Sequence, residues 1–344
     1  MIILPLFTPY QLKNLTIKNR LVMPPMALDI ATETGAITHK IIEHYRIRAQ
    51  GLGMIIVEHS YVNPEGRAHP RQLGIYDDTL ISGLEHLAAE IHALGVIAGI
   101  QISHAGARAL DAPMGPSSIQ SQYLNRFGDT DKKRYRVLPK KLNIKGINEI
   151  AMDFARAARR AQKAGFDFVE IHGAHGYLLN QFYSPLTNIR HDEYGGSLER
   201  RLAFSLEVVK KVRRAVGKDM SIFYRLGADD RLPGGITLED SIIAAQALEA
   251  AGIDCLDLSG GISGYLKSGP EGFFAYMGEG IKPHVKIPVI VTGGIKTGNK
   301  ANEIIAGGAA DFVGVGRTLL KESDWAYKEW IKMGSGGQIC CRNS

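Results

Sequence analysis

Eight short apolar runs rich in Val and Ile recur along the chain: RLVMPPM (20–26), GMIIVEHS (53–60), VIAGIQIS (96–103), FDFVEIHG (166–173), DMSIFYRL (219–226), IDCLDLSG (253–260), IPVIVTGG (287–294) and ADFVGVGR (310–317). Near-continuous apolar strands, rather than alternating ones, are expected where a parallel sheet is covered on both faces. Between the runs lie THKIIEHYRIRAQG, DDTLISGLEHLAAEIHALG, INEIAMDFARAARRAQKAG, SLERRLAFSLEVVKKVRRAVG and TLEDSIIAAQALEAAG. Each opens near a Thr, Asp, Asn or Ser, repeats apolar residues three and four apart, and closes on Gly, as capped amphipathic helices do. Eight strand-then-helix units predict an α/β fold of the eightfold parallel (β/α)8 type, a TIM barrel. A doubly wound open sheet is the second arrangement that this alternation permits.

The length of 344 residues fits either two ordinary domains or one enlarged barrel. The eight units occupy residues 20 to about 332 and leave no room for a second domain of ordinary size. Residues 1–344 are therefore expected to form a single barrel domain. The segment 104–145, rich in Gly, Pro, Ser and basic residues, reads as a loop insertion or lid after the third strand, and 333–344 as a C-terminal tail.

No apolar run approaches the roughly 18 residues that would span a bilayer, and the leading MIILPLF is short and lacks a basic lead-in. The expectation is a cytoplasmic protein with no membrane partner. Three cysteines cannot build a disulfide framework; Cys255 reads as a small buried hydrophobe, and the adjacent Cys340 and Cys341 have poor spacing for a shared metal, so no metal site is expected. The net charge is +6, with one basic cluster, DKKRYRVLPKK (131–141), that reads either as a solvated loop or as a contact for an anionic ligand. No aromatic interleaving accompanies it, so nucleic acid is not an expected partner.

In such a barrel the functional groups sit at the C-terminal ends of the strands. Those ends carry Met26 and Ala27, Glu58 and His59, Gln101, His172 with His175 and Tyr177, Arg225, Ser259 with Gly260 and Gly261, Gly293 with Gly294, and Gly316 with Arg317. Glycines after strands seven and eight let backbone N–H groups approach a phosphate, and Arg317 could add a bidentate contact; tight turns are the plainer reading of either glycine pair taken alone. In HGAHGYL two histidines three apart could donate to one carbonyl oxygen while the tyrosine delivers a proton. The plainer alternative is two structurally bonded histidines and a half-buried tyrosine. No carboxylate or cysteine stands at ligand spacing, so metal ranks below both.

HGAHGYLLNQFYSPLTNIRHDEYGGSLERR (172–201) resembles the signature segment of the Old Yellow Enzyme family, the FMN-dependent NADH:flavin oxidoreductases. The resemblance extends from LFTPYQLKNLTIKNRLVMPPM through GIQISHAG to VGVGRTLL, and is nearest to the bacterial, thermophilic-like ene-reductases. It implies a barrel holding one FMN non-covalently, with Pro25, Met26 and Ala27 along the flavin and Gln101 on its pyrimidine edge. It also implies Arg225 near the flavin N1 and C2 oxygen, and Gly293, Gly294, Gly316 and Arg317 on the phosphate. His172 and His175 would bind the substrate oxygen. The implied reaction takes hydride from NADH or NADPH through flavin N5 to the β-carbon of an α,β-unsaturated carbonyl compound, with Tyr177 protonating the α-carbon. A homodimer or homotetramer is implied as well.

Two positions depart from the family pattern. Ala27 stands where relatives usually carry Cys or Thr, and Asp29 where thermophilic-like relatives place a substrate-facing tyrosine. A carboxylate in the pocket would favour a cationic or hydrogen-bond-donating substrate and lends slight support to an alternative function, amine dehydrogenation or demethylation; otherwise Asp29 turns outward and caps a loop. QICCRNS falls where longer relatives begin an iron–sulfur cysteine cluster, but two cysteines cannot supply four thiolates. By the same resemblance Arg342 could reach a neighbouring subunit's site.

Overall fold

A computed structural model describes residues 4–119, 137–264 and 269–334. The eight predicted runs all form strands: β1 (Leu21–Met23), β2 (Met54–Tyr61), β3 (Ile97–Ser103), β4 (Phe168–Gly173), β5 (Ser221–Asp229), β6 (Cys255–Gly260), β7 (Val289–Thr292) and β8 (Phe312–Gly314). They pair in parallel in chain order and close β8 onto β1, which decides for the barrel over the open sheet. Three strands stop short of their predicted ends. After Met23 come Pro24 and Pro25, which have no N–H to give a ladder. β7 yields at Thr292 to a turn that places Gly294 at φ +66°, and β8 gives way to the loop carrying Gly316.

The five helical patterns form α1 (His39–Arg46), α2 (Ile81–His92), α3 (Ile144–Lys163), α5 (Leu198–Val216) and α6 (Leu238–Ala251). Their starts are fixed by side chains: Asn143 accepts from the Gly146 N–H ahead of α3, and Thr237 and Asp240 form a capping box on α6. The short α4 (Leu178–Tyr183), buried on every side, lies within the HGAHGYLLNQFY segment, where the sequence signals no separate helix. The shell is completed by α7 (Ala275–Ile281), α8 (Gly298–Ala306), α9 (Arg317–Lys321) and α10 (Trp325–Gly334). No described helix is long and apolar enough to cross a membrane.

Period two along the strands divides the apolar residues into two sets. Val22, Met54, Ile56, Phe168, Phe223, Cys255, Ile290 and Phe312 pack together inside the barrel, while Leu21, Ile55, Val57, Ile100, Val169, Ile222 and Leu256 face the helices. A hairpin, Tyr10–Leu12 with Leu15–Ile17, adds Leu12, Leu15 and Ile17 to the inner set and plugs the N-terminal mouth; the Tyr10 ring meets Phe312 edge-on at 4.9 Å. Phe168 and Phe223 stack at 3.9 Å across the interior. Their stack leaves no room for a side chain on β3, since a Cβ at Gly99 would stand 2.1 Å from the Phe168 ring. Gly99→Ala is therefore expected to destabilise by about 1–3 kcal/mol through overpacking, read as a lower denaturant midpoint.

The expected insertion begins with a turn at Gly106–Arg108 and a short parallel pair, Met114–Gly115 with Lys140–Lys141. Residues 120–136, which would make up much of a lid, and most of the 131–141 basic cluster lie outside the described residues. The 333–344 tail starts inside α10, which ends at Gly334; Cys340, Cys341 and Arg342 lie outside the described residues too. Cys255 is fully buried in the barrel interior, as its apolar setting predicts.

Candidate active site

A cavity of about 900 Å³ opens at the C-terminal ends of the strands. It is lined by all twelve of the expected cofactor and catalytic residues: Pro25, Met26, Ala27, Gln101, His172, His175, Tyr177, Arg225, Gly293, Gly294, Gly316 and Arg317. Strand register explains the middle of the site. Gln101 lies opposite Glu170, and His172, Arg225 and Asp257 stand side by side across β4, β5 and β6. The inward-facing positions that carry Phe168 and Phe223 lower in the barrel carry these polar groups one step higher.

That layer is a buried network. Gln101 donates from Nε2 to Glu170 Oε1 at 2.7 Å, and Arg225 Nε lies 3.1 Å from Asp257 Oδ2. Burial pushes the Asp257 carboxyl up to about 6, with Arg225 opposing. Burial, reinforced by the neighbouring Asp257 charge, drives Glu170 well above the usual carboxylate range. Of the two carboxyls, Glu170 is the one pushed toward its protonated form, and Asp257 is the one that lies against the Arg225 guanidinium.

At the mouth, His172 and His175 lie 5.3 Å apart by ring centroids, and the Tyr177 ring lies 4.7 Å from His172. Burial holds both histidines far below the ordinary imidazole range, so they are neutral. Nδ1 of His172 is buried without a hydrogen-bond partner among the described residues. His175 sits at φ +58°, a backbone conformation uncommon outside glycine, and its Nε2 meets Ser259 Oγ at 2.7 Å. Arg108 donates to the His175 carbonyl at 3.0 Å and lies over the Tyr177 ring at 5.6 Å.

These residues fit FMN. Gln101 and Arg225 present buried polar groups to the cavity, as the pyrimidine end of a flavin requires, and Arg317, Lys296 and Lys321 line the same cavity. A side chain is excluded at Gly294, where φ is +66° and a Cβ would stand 2.6 Å from the Phe273 ring, and a Cβ at Gly316 would press on Met26 Sδ at 3.1 Å. Backbone N–H groups can therefore approach an anionic tail.

Asp29 departs from the pocket-lining expectation. At φ +54° its exposed carboxylate turns outward and accepts the Arg71 N–H at 2.8 Å, the loop-capping alternative, and it does not line the cavity. Beneath that loop Glu58 Oε2 accepts the Leu28 N–H at 2.9 Å, and burial raises the Glu58 carboxyl to about 7. A carboxyl whose folded value lies above its unfolded one costs stability as pH rises from about 4.5 to about 7. Glu58→Gln is expected to raise Tm relative to the parent by a margin that widens across that interval and is constant above it.

The cavity also gathers residues that sequence reasoning left unassigned. His59 and Ser259 stood at strand ends without a role, and His69, Arg108 and Phe273 lie in loops beyond the strands, where the strand-end rule does not look.

Residues 5–333 match the NADH:flavin oxidoreductase / NADH oxidase family. The chain is 40% identical over 337 residues to an NADH oxidase of Thermoanaerobacter brockii, covering 94% of this chain and 50% of that protein; it spans half the length of this curated relative. Among solved structures it is similar to the old yellow enzyme homologue from Zymomonas mobilis, with a TM-score of 0.81, 27% identity, and 97% and 94% of the two chains covered. It is also similar to histamine dehydrogenase from Rhizobium sp. 4-9, with a TM-score of 0.82, 26% identity, and 96% and 48% covered. The barrel, the donor set at its mouth and these likenesses agree: the chain belongs to the NADH:flavin oxidoreductase / NADH oxidase family, the Old Yellow Enzyme family.

Proposed function

We propose that this chain is an FMN-dependent NAD(P)H oxidoreductase that reduces the C=C bond of α,β-unsaturated carbonyl compounds. The observation that carries this reading is the convergence of His172, His175 and Tyr177 on one wall of the cavity. FMN, when bound, would supply the redox chemistry, hydride transfer from NADH or NADPH to the substrate's β-carbon. Gln101 and Arg225 would hold its pyrimidine end, Pro25, Met26 and Ala27 would lie along its ring, and Gly293, Gly294, Gly316 and Arg317 would hold its phosphate.

The two neutral histidines donate to the substrate's carbonyl oxygen, where negative charge develops as the double bond is reduced. Tyr177 O–H protonates the α-carbon. A neutral, donor-rich wall suits an electron-poor acceptor that carries oxygen. Amine oxidation, the activity in the name of histamine dehydrogenase, is the second reading; the outward turn of Asp29 removes the carboxylate that supported it.

Purified holoenzyme is expected to be yellow, to bleach with NADPH or NADH, and to recover its colour on adding cyclohexenone. Bleaching by an N-methylated amine, with no recovery on cyclohexenone, would favour the amine reading. Ala27 cannot hydrogen-bond through its side chain where relatives place Cys or Thr, so Ala27→Cys is expected to shift the flavin's reduction potential. Spectroelectrochemical titration of both proteins checks this, and an unchanged potential would contradict contact between position 27 and the flavin.

A further inference from the structure

We propose that His59 is a positioning residue for Tyr177, donating from Nε2–H to the phenol oxygen, with Gln72 fixing the tautomer that makes this possible. The inference rests on the reading of Tyr177 as the proton donor.

His59 ends the apolar stretch of β2 and is buried in the cavity wall. Its Nε2 faces Tyr177 Oη at 3.5 Å, with the two rings edge-on at 5.1 Å, and it stacks beside His172 at 6.1 Å. The other ring nitrogen, Nδ1, lies 2.7 Å from Gln72 Nε2. Two contacts fix which way round the Gln72 amide sits. Its Oε1 accepts the Ala68 N–H at 2.7 Å, and its Nε2 donates to the His59 carbonyl at 2.9 Å. The group facing Nδ1 is therefore an NH₂, which can only donate. Nδ1 must accept, and in a neutral imidazole the single proton then resides on Nε2, directed at Tyr177. Burial, with the charges of His69, Arg108 and Arg225 nearby, holds His59 down at about 3, so the ring is neutral.

The consequence concerns the proton step. The Tyr177 proton moves to the substrate's α-carbon, the O–H electron pair stays on the phenol oxygen, and water later returns a proton to it. A donor aimed at that oxygen stabilises the phenolate more than the phenol. The 3.5 Å separation is long for a neutral pair and shortens as charge develops on the acceptor. Arg108, by contrast, lies over the face of the ring at 5.6 Å.

The test is rapid-mixing kinetics of the FMN-loaded enzyme, measuring flavin reduction by NADPH and reoxidation by cyclohexenone separately. His59→Leu is expected to slow reoxidation by about 10- to 100-fold, the effect of losing a hydrogen bond to a charged group, and to leave flavin reduction nearly unchanged. His59→Gln, whose amide N–H reaches the position of Nε2, is expected to recover most of that loss. In a Tyr177→Phe background, His59→Leu should cost nothing further. A similar loss in that background would overturn the proposal, because His59 would then act without Tyr177. If Tyr177→Phe slows reoxidation but His59→Leu does not, this inference fails while the proton-donor reading stands. If Tyr177→Phe is itself without effect, both fail. Imidazole ¹⁵N spectra of the histidine-labelled wild-type holoenzyme test the tautomer without relying on any variant's folding: protonation at Nε2 is expected, and protonation at Nδ1 would overturn the proposal.

Discussion

Tyr177→Phe is expected to slow alkene reduction by about 10²- to 10⁴-fold, the usual contribution of a positioned general acid, with little effect on reduction of the enzyme by NAD(P)H. The substitution removes one hydroxyl and keeps the ring's packing. Tyr177 is anchored through its backbone, donating its N–H to the Ala174 carbonyl at 3.1 Å at the start of α4, and its ring meets both the His172 ring and the Arg108 guanidinium. Those contacts need only the aromatic face. Stopped-flow separation of the two half-reactions checks the expectation. An equal loss in both would show that the phenol orients the cofactor or the nicotinamide rather than protonating substrate. A loss in KM alone would assign it to uniform substrate binding.

The barrel was legible because a buried parallel strand leaves a strong local mark. Runs such as GMIIVEHS and VIAGIQIS are apolar on both faces, and each is followed by a capped amphipathic helix. Strand ends were less legible, since β1 stops at Met23 where Pro24 and Pro25 remove two N–H groups from the ladder, and an apolar count does not register missing donors. The helix α4 was hidden for the opposite reason: all six of its residues are buried, so no amphipathic stripe exists to reveal it.

The site divides along the same line. His172, Arg225, Gln101 and the glycine turns follow from the rule that barrel chemistry sits at strand ends, and the strand register sets them side by side. His69 and Arg108 reach the cavity from loops, whose paths no periodicity encodes. Asp29 was misplaced because a family position fixes where the backbone runs and leaves the side chain's direction open. Its left-handed backbone and the Arg71 N–H draw the carboxylate outward. The Glu170–Asp257 pair went unnoticed because a lone Glu or Asp within an apolar run looks like an interruption until the register shows what stands beside it.

Removing Arg225 should expose what that pair does. Arg225→Met leaves Asp257 fully buried beside Glu170 with no cation at hand, and loss of one partner from a buried ion pair costs about 3–5 kcal/mol. The structure also sets the pH dependence. Burial already raises Asp257 to about 6 against the pull of Arg225, so without that pull its carboxyl titrates higher still. A carboxyl raised above its unfolded value is harmless while protonated and costs stability as pH rises through the folded value. The deficit of Arg225→Met should therefore be small at pH 5 and grow by up to about 1.4 kcal/mol per pH unit above the parent value, reaching at most roughly 3 kcal/mol by pH 8, read as urea midpoints of the flavin-free protein. Adding Asp257→Asn removes the charge that was left alone and should restore much of the stability at pH 8. It cannot restore the guanidinium that the proposed function assigns to the pyrimidine end of FMN, so FMN affinity should remain low in both variants. Recovery of affinity along with stability would mean that Arg225 serves the fold alone; low affinity in a restored fold would separate neutralising Asp257 within the barrel from the proposed task of holding the cofactor.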